Sequence, residues 1–165
     1  MSLINIVLIL LQCYFLLMNV TVENTYCLTD FTDTSAFLVQ ETIDFCVENN
    51  RYFLTRPEWL VMATCVSSYG LAVGYLFTLW VALRNHWHKS YVVVPCLLFV
   101  GAKMYAIGFY HLMEFTSDTP PTNLVPYFAA EGPYVVSMLL IVYKIAQSLG
   151  QPDAAAAEQQ AKKRE

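Results

Sequence analysis

Four stretches of the chain stay apolar for about twenty residues each, the length an α-helix needs to cross some 30 Å of hydrocarbon. They cover residues 3–22, 60–83, 91–113 and 125–143, the last just long enough at 19 residues. Inside each stretch the polar residues recur at helical spacing rather than at random. The first carries Asn5, Gln12, Asn19 and then Glu23; the second Thr64, Ser68, Tyr75 and Thr78. The third carries Lys103, Tyr110, His111 and Glu114, and the fourth Tyr127, Glu131, Tyr134 and Met138. Polar groups in hydrocarbon turn inward or find partners, so the pattern predicts four spanning helices with lined inner faces. Helix–helix hydrogen bonding accounts for such a stripe in spans 1 and 2 without any ligand. It accounts less well for Lys103 and Glu131, whose burial as charges costs several kcal/mol each.

Composition agrees with this pattern. The 165 residues are 57% hydrophobic and 13% charged, against about 25% charged in ordinary soluble domains. The fold class expected is therefore all-α, a polytopic four-helix transmembrane bundle over residues 1–148. The tail, 149–165, reads as a short helical or disordered extension without chemistry. Five cysteines form no C-x-x-C pair and no metal spacing, so neither a metal nor a cofactor is expected. Cys13, Cys65 and Cys96 read as small apolar residues within spans, while Cys27 and Cys46 share the first loop and form a disulfide if that loop is lumenal.

Lys and Arg concentrate in short cytosolic loops. The segment "RNHWHKS" after span 2 holds Arg84 and Lys89 and no acid, and the tail ends "AKKRE". Residues 23–58 hold seven acids against Arg51 and Arg56, and the third loop holds Glu114 and Asp118 and no base. Both termini are thus expected in the cytosol, with loops 1 and 3 lumenal. The terminal Lys162-Lys163-Arg164-Glu165 resembles the dilysine K-K-x-x retrieval signal of endoplasmic reticulum membrane proteins, which must face the cytosol; a solvated basic flank is the alternative. Span 1 also competes with a signal peptide preceding the glycosylation triplet Asn19-Val20-Thr21. It lacks a basic start and a clear small-x-small cleavage site, and is kept as a helix.

Lys103 lies about one residue past the centre of span 3 and Glu131 about four residues to the lumenal side of the centre of span 4. At ~1.5 Å per residue their depths differ by ~5 Å, within reach of a lysine side chain. The spacing therefore predicts that Lys103 faces Glu131 across a cavity walled by Tyr105, Tyr110, Tyr127 and Tyr134. Pro95 and Pro133 are expected to loosen the helices nearby.

Four segments in order carry a family resemblance: "AFLVQETIDFCVENNRYFL" (36–54), "YGLAVGYLFTLWVAL" (69–83), "VGAKMYAIGFYHLMEF" (100–115) and "AAEGPYVVSMLLIVYKI" (129–145). Over about residues 12–148 the chain resembles the EXPERA-domain family, nearest its emopamil-binding-protein branch of sterol Δ8–Δ7 isomerases and isomerase-like relatives. Its Gly132-Pro133-Tyr134 is also similar to the Ala-Pro-Tyr of the sigma-2 receptor branch. The resemblance implies a sterol pocket within the bundle, in which the isomerases protonate one end of a ring alkene and deprotonate the other. Such chemistry needs an acid and a base in a dry cavity.

The departures are specific. Asn19 stands where the family has the histidine of a His-x-x-x-Glu ending span 1, with Glu23 as the glutamate. Met62–Ala63 offers no acid where the family has a second glutamate, and Glu131 and Tyr134 replace its asparagine and tryptophan. The chain also begins one span later than the five-helix isomerases. The resemblance and the polar stripes, taken together, imply Glu23 and Glu131 as catalytic residues and Asn19, Lys103, Tyr105, Tyr110 and Tyr134 as ligand-binding residues. The function expected is an endoplasmic reticulum membrane protein that binds a sterol or sterol-like amphiphile, acting as an isomerase-like protein or, alternatively, as a non-catalytic sterol-binding or trafficking protein. A small structural subunit with no ligand is a third reading. Membrane lipid is an expected partner and nucleic acid is not; a homodimer is left open.

Overall fold

A computed structural model describes residues 2–31 and 34–150, so the Lys162-Lys163 signal lies outside the described residues. The chain is all-helical there, and four helices are long and apolar enough to cross a membrane. Span 1 runs Leu3–Leu28 and consists of α1 (Leu3–Met18), one π-helical turn (Asn19–Glu23) and α2 (Asn24–Leu28). Two short helices follow, α3 (Val39–Asn49) and α4 (Arg51–Thr55). Span 2, Glu58–Arg84, repeats the design of span 1: α5 (Glu58–Cys65), a π-helical turn (Val66–Leu71) and α6 (Ala72–Arg84). Spans 3 and 4 are the unbroken helices α7 (Ser90–Phe115) and α8 (Leu124–Leu149). Both continue through their internal prolines, Pro95 and Pro133. Each span extends beyond the stretch its apolar run marks out.

Local chemistry sets the boundaries. Ser2 starts α1 by accepting the Asn5 N–H at 3.3 Å, and Asn50 starts α4 by accepting the Phe53 N–H at 3.2 Å. Asn85 ends α6 with φ 54°, a left-handed conformation that asparagine tolerates better than most residues. Within the bundle α1 packs on α6 and α8, and α7 packs on α8 and α6. Gly74 permits the α6–α7 approach: a Cβ there would collide with the Phe99 ring. Outward positions are apolar, as Leu10, Val73, Leu98 and Leu139 each expose 60–70% of their surface, the inside-out arrangement of a protein solvated by lipid.

The end of the bundle bearing α3 and α4 is the cap end. There α3 packs on α8 and on the π-turn of span 1, and Val22, Tyr26, Phe31, Val39 and Leu60 form a second apolar core. A disulfide joins Cys27 to Cys65, with Cα atoms 5.0 Å apart. This corrects the expected Cys27–Cys46 pairing. Cys65 sits about two turns inside span 2, where α5 lies against α2, whereas Cys46 is buried on the inner face of α3 as a free thiol. Burial, with the carboxylates of Glu131 and Glu114 behind it, pushes the Cys46 thiol from its ordinary value near 9.0 up to about 12.

Candidate functional site

The polar stripes meet in the interior as a ladder of hydrogen bonds. At the end opposite the cap, the Asn5 amide donates to the Ala82 carbonyl (3.3 Å) and Asn85 Oδ1 (2.9 Å), and the Trp87 indole donates to Asn5 Oδ1 (3.1 Å). Two turns along α1, Gln12 donates to Ser137 (2.7 Å) and accepts from Thr78 (2.9 Å). These rungs hold helices together and leave no polar atom of Gln12 facing hydrocarbon alone.

Beyond Gln12 the ladder becomes charged. The two π-turns face each other: Asn19 donates to Glu23 Oε2 (2.8 Å) and to the Ser67 carbonyl (3.3 Å), and Ser68 donates to the Asn19 carbonyl (3.3 Å). A π-turn accommodates one more residue than an α-turn, which brings Ser67 round to the interior. Lys103 reaches that hydroxyl at 3.4 Å and is 7% exposed. Its ammonium also lies 4.8 Å from the Tyr134 ring centre and 5.4 Å from that of Tyr75. Tyr134 in turn stacks on Phe15, centroids 4.2 Å apart. Aromatic faces attract a cation electrostatically, so Lys103 is clamped by rings rather than by a carboxylate.

Glu131 lies near enough to Lys103 for the two charges to act on each other. It is partly buried, and makes no hydrogen bond or ion pair within 4.0 Å to another described residue. The expected direct Lys103–Glu131 contact is therefore absent, though Glu23 and Glu131 both act on Lys103 electrostatically. Lys103 turns instead toward Ser67 and the rings. Tyr105 is also corrected: it is 75% exposed and stacks on Phe109 outside the bundle. Two residues beyond Lys103 on a helix is about 200° of rotation, so it cannot share that face.

Tyr110 does share it, one step closer to the cap. Its hydroxyl donates to Glu114 Oε1 (3.0 Å) and accepts from the Asn50 amide (2.7 Å). Tyr127 donates to Glu114 Oε2, and His111 Nδ1 lies 2.6 Å from the Tyr127 hydroxyl. Glu114 is fully buried beneath this network. Sequence reasoning placed Tyr110, His111, Glu114 and Tyr127 on inward stripes without joining them, and missed Ser67 and Asn50. The signal for the joined network was the shared i+4 spacing of Tyr110 and Glu114.

Among the described residues no group of three or more His, Cys, Asp or Glu side chains is placed to hold a metal ion. The fold defines a multi-pass helical membrane protein whose interior buries the Glu114 carboxylate and the Lys103 ammonium, with Glu23 and Glu131 partly buried beside them. No protein-family model, curated protein or solved structure matches the chain.

Proposed function

We propose that the chamber around Lys103 and Glu131 binds a sterol or sterol-like amphiphile, as the EXPERA resemblance implies. The observation that carries this reading is Glu131, a carboxylate within the bundle that no described protein donor satisfies. A partly buried carboxylate left open beside an aromatic cluster suits a ligand hydroxyl or cationic centre. Apolar rings of the ligand would lie along Phe15, Tyr75 and Tyr134.

With a Δ8-sterol in place, the same chamber suits double-bond migration. One carboxyl group delivers a proton to one alkene carbon, and a carboxylate removes a proton from the allylic carbon at the other end. Atoms and electrons balance without a redox partner. Glu23 and Glu131 fill these roles, and the aromatic faces stabilise the intervening carbocation. A second reading, a non-catalytic sterol binder, is favoured by one contact: Glu23 is tied to the Asn19 amide, which cannot carry a proton as the family's histidine does. Feeding a Δ8-sterol to membranes containing the protein separates them. Formation of the Δ7 product supports the isomerase; saturable binding without product supports the binder. If neither occurs, the ligand reading fails and the interior is only a scaffold.

For location, we propose an endoplasmic reticulum membrane protein with both termini cytosolic. The Lys/Arg distribution supports this orientation, and so does the disulfide: such bonds persist in oxidising compartments, and Cys27–Cys65 sits at the cap end, which this topology makes lumenal.

A further inference from the structure

At the end opposite the cap, a cavity of about 160 Å³ opens between the α6–α7 turn and α8, lined by Asn85, Trp87, His88, Lys144, Gln147 and Ser148. Lys144 is only 9% exposed, and its ammonium makes one hydrogen bond to a described residue, 3.2 Å to the neutral Gln147 carbonyl. A buried cation is usually paired, yet the described residues that build this end, 2–12, 78–98 and 138–150, contain no acid. The same end carries Arg84, Lys89, His86 and His88. Lys144 lies five residues before the end of α8, too far in to serve merely as a counter-charge to the last carbonyls. Two lining amides keep donors free of described partners: Asn85 Oδ1 accepts from Asn5, and Gln147 gives its oxygen to Lys144, while the Ser148 hydroxyl donates to the Trp87 and Ile145 carbonyls.

We infer that this cavity is a phosphate-binding site, formed by Lys144 with the Asn85 and Gln147 amides and the His88 ring. Its position at the end of three spans, level with Arg84 and Lys89, places it where lipid headgroups lie, and basic pockets between spans suit anionic headgroups. The volume admits a phosphate group and a few waters, a water's share of liquid being about 30 Å³. The site is separate from the Glu131 chamber and does not depend on what that chamber binds.

The test measures thermal unfolding of the full chain in an uncharged detergent against three additives: dioleoyl phosphatidic acid, inorganic phosphate, and dioleoylglycerol, which has the same tails without phosphate. Phosphatidic acid is expected to raise the midpoint saturably while dioleoylglycerol does not. A matching rise with inorganic phosphate assigns the site to the free anion as well; its absence assigns the site to the lipid headgroup. Lys144→Gln should weaken the phosphatidic acid response by about tenfold or more, equal to about 1.4 kcal/mol, and Lys144→Arg should keep it. Gln147→Glu, at an exposed position, gives Lys144 an internal partner and should abolish the response even if Lys144→Gln fails to fold. Equal effects of phosphatidic acid and dioleoylglycerol, or an undiminished response in Gln147→Glu, would overturn the assignment.

Discussion

Lys103 and Glu131 act on each other electrostatically but answer to different neighbours. The ammonium is held over two rings and at a serine hydroxyl, so its loss removes cation–π attraction worth roughly 0.5–2 kcal/mol. A double-mutant cycle should therefore show coupling of that order between Lys103→Met and Tyr134→Leu, measured by thermal unfolding. Tyr134→Phe keeps the ring face and should leave Lys103 undisturbed; strictly additive losses in the cycle would show that the rings do not hold the ammonium. Glu131 breaks no hydrogen bond when neutralised, so Glu131→Gln should unfold no earlier than the parent, and on the proposed sterol-binding reading it should lose that binding. A midpoint several degrees lower with binding intact would make Glu131 a structural residue. The Cys46 thiol adds a check by pH. Its proton is held tightly in the native state and less so in the unfolded chain, so this contribution to stability is complete below about pH 9 and falls away as pH rises toward 12. Cys46 should resist maleimide at neutral pH in the folded protein, and labelling as fast as a free thiol would contradict its burial.

The helical elements were largely legible because a bilayer leaves few alternatives: apolar runs of span length with inward polar stripes have one solution. What sequence could not reveal was local register. A π-turn has no composition of its own, so nothing in Asn19–Glu23 or Val66–Leu71 announced that Ser67 would swing inward. Nor did Cys65 stand out in an apolar run, and its partner followed only from the contact of α5 with α2. The helices α3 and α4 lay in a segment that periodicity left as a loop. Glycine 74 was equally silent, though its role is steric. Gly74→Ala should force the Phe99 ring aside at a cost of about 1–3 kcal/mol, as overpacking does. Gly74→Ala combined with Phe99→Leu should recover part of that loss in thermal unfolding; no loss in the single variant would show that the α6–α7 seam has slack.

At the scale of the whole molecule, charge distribution predicts the topology more strongly than any single motif. A reporter fused after Glu165 should lie in the cytosol, and a lumenal reporter would reverse both the orientation and the reading of the Lys162-Lys163 tail. The disulfide then acquires a consequence for traffic. Because Cys27 and Cys65 are linked across 38 positions of sequence, α3 and α4 belong to a closed covalent ring whose knot is fastened to the bundle wall. A roof tied down at its eaves cannot be lifted far, so an amphiphile bound for the chamber would come and go sideways, parting helices within the lipid layer. Exchange of a bound amphiphile should then follow the fluidity of the surrounding bilayer, and cutting the ring with a reductant should open a second, vertical route and speed its release.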